Sequence, residues 1–331
     1  MQIDVVYGGK PVSKVIGGPV SGLPALLQPY PEVFLVYDAA LSGAIPELPS
    51  LKGSAAVDVS EEAKSMETVL LLCSSMMEAG LGRGALVLAV GGGITTDMAG
   101  FAASVYKRGI RYANVPTTLL AMVDAGIGGK TGVNFEGYKN MLGVIRQPEF
   151  TFISSEFLRT LPERDFRSGA AEMLKTFLID NSSGNYEKAV EVLSNPSPEA
   201  LQDLIFAAAA IKAEIVGRDP FEKGERVKLN LGHTFAHAIE HVSRLRGDDI
   251  THGEAVAMGI ILSARISNPA LASRLEADFR RAGLRTECPY PVGDLRSAMS
   301  FDKKAEGGKV RFVLLRDIGD VVTESLSPEE I

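Results

Sequence analysis

The sequence predicts an α/β N-terminal domain with a parallel sheet, followed by a mostly α-helical C-terminal domain. Three observations carry this. Short apolar runs rich in β-branched residues alternate with helical stretches in the first half. One of those runs opens directly into Gly91-Gly92-Gly93. Beyond about Leu161, helix formers dominate and strand-like runs nearly vanish. A boundary near residues 150–160 follows, giving domains 1–155 and 156–331, with the active site expected in the cleft between them.

Taken in order, Val33–Tyr37 (VFLVY) reads as a buried strand ending at Asp38. Glu67–Glu78 reads as a helix closed by Gly80. Ala85–Val90 (ALVLAV) is a second apolar strand. The glycines after it lead into a helix expected to start near Thr95, Thr96 and Asp97, residue types suited to a helix N-terminus. Tyr112–Val115 is a third strand, stopped by Pro116. Strands separated by helices pair in parallel through crossovers. The second half reads as helices over Arg167–Ile179, Ser197–Val216, Leu231–Leu245, Glu254–Ile266 and Ala270–Ala282, and a strand returns at Lys309–Leu315.

Composition narrows the function classes. The chain has 331 residues, 46% of them hydrophobic, so it can bury a core and is not a disordered chain. Its 34 Lys and Arg against 41 Asp and Glu leave a net charge of −7, so a broad basic surface for nucleic acid is not expected. Cys73 and Cys288 make neither a disulfide framework nor a clustered thiolate site, which fits a reducing cytoplasm. The start, Met1-Gln2-Ile3-Asp4-Val5, lacks a signal-peptide pattern. The apolar run Ala255–Ala264 falls short of the roughly 20 residues that span a bilayer, so no membrane partner is expected.

Three motifs carry chemistry. A strand running into three glycines and then a helix suits a nucleotide phosphate, because glycine lets the backbone approach and the helix end offers free N–H groups; it makes the sheet Rossmann-like. The same glycines also suit a plain tight turn. Asp38, at a strand end, is placed to take ribose hydroxyls or to cap a turn. All 4 histidines, His233, His237, His241 and His252, fall in one stretch. The first three share a helix face at i, i+4 and i+8, and His252 opens the next helix after a polar loop. Two imidazoles with a carboxylate from elsewhere would hold a metal with positions open to substrate; the other reading is incidental surface histidines. Cations recur beside glycine and asparagine at Arg108, Lys130 and Lys139. Singly they read as solvated charges, together as a phosphate or carboxylate pocket.

Read together, these residues resemble the 3-dehydroquinate synthase family. The carrying strings are Gly91–Arg108 (GGGITTDMAGFAASVYKR), Pro116–Asn140 (PTTLLAMVDAGIGGKTGVNFEGYKN), Leu161–Lys175 (LPERDFRSGAAEMLK), Leu229–Glu240 (LNLGHTFAHAIE), His252–Gly259 (HGEAVAMG) and Asp302-Lys303-Lys304.

The resemblance implies an NAD-binding domain over 1–155 and a helical metal- and substrate-binding domain over 156–331. It implies a metal site of Glu172, His233 and His252 for one divalent ion, zinc or cobalt. It implies NAD contacts from Asp38, Glu61, Lys64, Gly92, Gly93, Asp97, Thr117, Thr118, Asp124, Lys139, Phe157 and Thr160. Contacts to a phosphorylated sugar acid are implied for Lys130, Asn140, Lys175, Lys212, Arg226, Asn230 and one or both of Lys303 and Lys304. His237 matches a substrate-facing proton-transfer histidine, and Glu222 an acid behind the substrate contacts. Arg108 matches an arginine that reaches a neighbouring subunit, implying a homodimer. The implied reaction converts 3-deoxy-arabino-heptulosonate 7-phosphate to 3-dehydroquinate and phosphate through transient oxidation, β-elimination, re-reduction and aldol closure. Related sugar-phosphate cyclases and metal-dependent polyol or glycerol-phosphate dehydrogenases are the neighbouring readings. The chain departs from the family pattern at Thr96, where the loop usually carries a fourth glycine, at Ser60 before Glu61, and at Ala125-Gly126 after Asp124.

Overall fold

The apolar runs at Val33 and Leu86 become neighbouring central strands, the second closed off from water along its length and the first over Val33–Val36. The computed structural model describes residues 1–300, 309–327 and 330–331. Two units form: Met1–Leu161 with Lys212–Phe221, and Pro162–Ile211 with Glu222–Ile331.

The first unit contains β1 (Gln2–Tyr7), β2 (Lys10–Gly17), β3 (Val33–Asp38), β4 (Leu51–Val57), β5 (Leu86–Gly91), β6 (Arg111–Pro116), a separate hairpin of β7 (Lys130–Phe135) and β8 (Tyr138–Ile145), and β9 (Thr151–Ile153). The main sheet runs β1-β2-β9-β6-β5-β3-β4. Every pair in it is parallel except β1–β2. Chain order reverses its direction of growth between β3 and β5, and in such sheets ligands bind at the carboxyl ends of the strands beside that reversal.

Helices α1 (Leu23–Leu27), α2 (Met66–Glu78) and α3 (Gly93–Val105) belong to the same unit. Ser65 caps α2 by accepting from Thr68 N–H, and Gly80, at φ +68, ends it. Val69, Leu72 and Met76 of α2 and Met98, Ala99 and Ala102 of α3 pack on Phe34, Val36, Val87 and Ala89. The start of α3 corrects the sequence expectation. It lies at Gly93 with Gly92 as N-cap, not near Thr95, because Thr95 and Thr96 are buried inside the first turns rather than capping them.

The second unit is helical: α4 (Glu163–Ile179), α5 (Asn185–Ser194), most of α6 (Pro198–Arg218), α7 (His233–Arg246), α8 (His252–Ser267), α9 (Pro269–Arg281) and α10 (Val292–Ser300), with a hairpin of β10 (Val310–Asp317) and β11 (Asp320–Leu326). α8 starts at a capping box, with Thr251 and Glu254 each satisfying the other's backbone N–H. None of the described helices is long and apolar enough to cross a membrane.

Candidate functional site

Two close backbone contacts assemble the first cluster. A Cβ on Gly253 would lie 2.2 Å from the carbonyl oxygen of Ser168, so α8 starts directly against α4. A Cβ on Gly259 would lie 2.2 Å from the carbonyl oxygen of Gly232, so α8 also lies against the start of α7. Glycine is the residue that permits both approaches. Glu172 of α4, His233 of α7 and His252 of α8 thereby converge, each offering a ligand atom, all within 4.8 Å of one another.

Glu172 is fully buried, with Oε1 3.6 Å from His233 Nε2 and 3.4 Å from His252 Nε2, and Oε2 2.5 Å from Lys175 Nζ. His233 Nδ1 lies 3.2 Å from the Leu231 carbonyl, and His252 Nδ1 lies 3.5 Å from Glu240 Oε1. Each ring therefore has an acceptor beside Nδ1 and turns Nε2 toward the carboxylate. Burial alone would raise the Glu172 carboxyl; the Lys175 charge and the two histidines outweigh it and hold the group well below its ordinary range. Burial, then the Lys175 charge, push His233 down to about 3, leaving a neutral ring. Burial acts the same way on His252, but Glu172 and Glu240 outweigh it and push it up to about 10.

A divalent ion fits this donor set. Neither Glu172 oxygen has a well-aligned hydrogen bond among the described residues, despite full burial. Lys175 balances the charge at Oε2, while Oε1 faces the two histidine Nε2 atoms, the side on which a cation would complete the shell of this buried carboxylate. Two imidazoles and one carboxylate form the open ligand set of catalytic zinc. His237 stands one turn beyond His233, the rings edge-on with centroids 5.7 Å apart, outside the ligand cluster but beside it. His241 is half-buried further along α7, also outside the cluster.

The other group lies at the strand ends of the first unit. Gly91 closes β5, and its carbonyl accepts from Thr117 N–H, 3.0 Å away, just past β6. A Cβ on Gly92 would meet Thr118 at 3.1 Å, and one on Gly93 would meet Ala125 at 3.1 Å, so the loop is closely lined. Thr96 is buried, and its hydroxyl donates to the Gly93 carbonyl at 3.0 Å; the extra side chain points into its own helix turn. Asp38, at the end of β3, accepts from Ala40 N–H at 2.9 Å, which is the turn-capping role. Phe157 is buried and Thr160 exposed in the turn Ser155–Thr160 that follows β9.

Charged residues expected at the ligands are here engaged with one another. Lys64 Nζ donates to Asp97 Oδ2 at 2.6 Å and to Asn140 Oδ1 at 2.5 Å. Burial pushes Asp97 up to about 6 against the opposing Lys64 charge. Lys212 Nζ donates to the Asp124 carbonyl at 2.6 Å and pairs with its carboxylate, which ties Lys212 into the first unit. Lys139 Nζ lies 3.4 Å from Glu61 Oε1. Lys130 is exposed at the start of β7. Arg108 is exposed in a turn where it and Lys107 both have positive φ, 69° and 49°. In the second unit Arg226 is buried, and Asn230 Nδ2 donates to Glu222 Oε1 at 2.7 Å. Lys303 and Lys304 lie outside the described residues.

Two residues escaped the sequence reading. Glu240 shares the His233 face of α7, three residues beyond His237, and that helical spacing could have pointed to it. Asn134 gave no local signal; only the folded hairpin shows its contacts.

Family comparison agrees with this geometry. Residues 54–168 match the model described as 3-dehydroquinate synthase N-terminal, and residues 169–305 match its C-terminal counterpart. The chain is 44% identical over 282 residues to 3-dehydroquinate synthase of Acidithiobacillus ferrooxidans, covering 82% of this chain and 77% of that protein. It is 38% identical over 330 residues to that of Pyrococcus abyssi, covering 97% of each. Among solved structures it resembles 2-epi-5-epi-valiolone synthase from Streptomyces hygroscopicus with NAD+ and Zn2+ bound, at a TM-score of 0.80 and 29% identity, covering 97% of this chain and 95% of that one. Matching both halves of the family model and relatives along nearly its full length, the chain belongs to the 3-dehydroquinate synthase family.

Proposed function

We propose that this chain is a phosphate-eliminating lyase, dependent on NAD and a divalent metal, that converts 3-deoxy-arabino-heptulosonate 7-phosphate to 3-dehydroquinate and phosphate. The observation that carries this reading is the convergence of Glu172, His233 and His252 beside Lys175, in a chain of this family. When bound, the ion would acidify a substrate hydroxyl, and the dinucleotide would accept and return a hydride.

The chain's own residues supply the rest. Glu172, His233 and His252 would hold the ion. Gly92 and Gly93 would let the backbone approach a pyrophosphate, and the first N–H groups of α3 would be its donors. Glu61, Lys64, Asp97, Asp124, Lys139, Thr117, Thr118, Phe157 and Thr160 would complete the dinucleotide contacts, with Asp38 limited by its turn bond. Lys130, Asn140, Lys175, Lys212, Arg226 and Asn230 would meet the phosphate and carboxylate; such charge-assisted contacts suit an otherwise acidic chain. Glu222 would orient Asn230. His237 would move a proton at the substrate, and its place one turn from His233 supports this. Arg108 is exposed, which leaves it accessible for the contact with a second copy that the family resemblance implies, hence a homodimer. The cysteine usage supports a cytoplasmic setting.

The test supplies the heptulosonate phosphate with trace NAD and a divalent metal, and follows free phosphate and cyclic product together. Equimolar release of both with no lasting NADH is expected. NADH accumulating in step with product would instead indicate a polyol-type dehydrogenase.

A further inference from the structure

Asn134 sits where the β7–β8 ladder breaks. Val133 pairs with Leu142 and Phe135 with Tyr138, so Asn134 alone faces Lys139, Asn140 and Met141. The excess residues bulge from β8, and Asn140 takes φ +54 within the bulge. Bulges of this kind re-aim side chains and gather beside active sites.

Freed from the ladder, Asn134 bonds through its backbone N–H and through both polar atoms of its side chain. Its backbone N–H donates to the Lys64 carbonyl at 2.8 Å. Its Nδ2 donates to the Glu61 carbonyl at 3.0 Å and to Glu61 Oε2 at 2.8 Å. Its Oδ1 accepts from Asn140 N–H at 2.9 Å. The side-chain amide has acceptors on one side and a donor on the other, so a single orientation satisfies both. Lys64 closes the circuit by donating to the Asn140 side chain.

We propose that Asn134 is a positioning residue that fastens the Glu61–Lys64 turn to the Lys139–Asn140 bulge, so that the dinucleotide-facing and phosphate-facing residues move as one unit. This rests on the reading given under Proposed function, in which Glu61, Lys64 and Lys139 face the dinucleotide and Asn140 the substrate. A plain hairpin staple would bond within the hairpin. Three of these four bonds leave it, and they end on two residues of that ligand-facing set. Binding either ligand then orders the contacts of the other, a coupling that is reciprocal by necessity.

A double-mutant cycle tests this, with NAD affinity read by calorimetry on the full chain. Asn134→Asp keeps the acceptor for Asn140 N–H but sets a carboxylate against Glu61; Glu61→Gln returns a donor to that contact. Asn134→Asp should weaken NAD binding about tenfold in the parent and far less in the Glu61→Gln background, because a broken charged hydrogen bond has that magnitude and only contacting residues couple. Adding inorganic phosphate should tighten NAD binding in the parent and fail to do so in Asn134→Asp. Should Asn134→Asp not fold, Asn134→Ser takes its place, with the phosphate effect as the readout. An equal loss in both backgrounds, or a phosphate effect that survives the substitution, overturns the proposal alone. A parent protein that binds no NAD removes the functional reading and this proposal with it.

Discussion

Lys175 Nζ lies 2.5 Å from Glu172 Oε2, both side chains shut off from solvent and one turn apart on α4. The lysine supplies the charge that lets a buried glutamate stay ionised between two histidines. Without it the carboxylate would lose its nearest cation and keep only the charge shared with His252, and breaking a buried pair costs more than the pair gains. Lys175→Met should therefore destabilise the metal-free protein by about 3–5 kcal/mol. Added zinc should recover part of this. Denaturant unfolding with chelator and with zinc measures both; unfolding unchanged from the parent would show that the pair is dispensable.

The ligand assignment predicts metal loss. Glu172→Gln and His252→Ala should each weaken zinc binding by more than about a hundredfold, since losing a ligand exceeds the effect of losing a residue behind one. Turnover should fall in step while circular dichroism keeps the helical signal. Metal content after dialysis is the measurement, and full retention in either variant would reject the site.

Backbone contact places that site, so filling the contact should disturb it from a distance. Gly253→Ala puts a Cβ 2.2 Å from the Ser168 carbonyl, where only helix displacement relieves the clash. A cost of about 1–3 kcal/mol in stability is expected, with weakened metal binding, because α8 carries His252. Gly293→Ala meets nothing within 4 Å and serves as the neutral comparison. Equal metal affinity in both variants would separate the glycine contact from the site.

Asp97 predicts a pH dependence. Burial pushes its carboxyl from 3.8 up to about 6, so between those values the folded protein holds a proton that the unfolded chain has released. Its contribution to stability is complete below about pH 4 and is lost as pH rises through 6, an effect of up to about 3 kcal/mol. Asp97→Asn keeps an acceptor for Lys64 and abolishes the titration. Across about pH 4–7 the parent should lose stability relative to the variant; parallel curves would show that Asp97 titrates normally.

Much of this was legible in residues close in sequence. Val33–Asp38, Leu86–Gly91 and Arg111–Pro116 are strands because apolar, β-branched runs bounded by breakers have few other ways to bury themselves. Met66–Glu78 ends where Gly80 allows a left-handed turn. The short or weakly apolar β4, β7 and β9 passed unread, since pairing with neighbours rather than their own composition makes them strands. Thr95 and Thr96 misled because their helix-start chemistry was overridden by burial.

By itself, the sequence determined the alternation of elements, the glycine loop and the family strings that mark Glu172, His233 and His252. Only the tertiary structure decided that Gly253 and Gly259 bring three helices close enough for those ligands to meet. It alone decided that Lys64, Asp97, Asn134 and Asn140 form one network. The physical reason is range: periodicity and capping act within a few residues, whereas contact between backbones and sharing of hydrogen bonds depend on segments far apart in the chain.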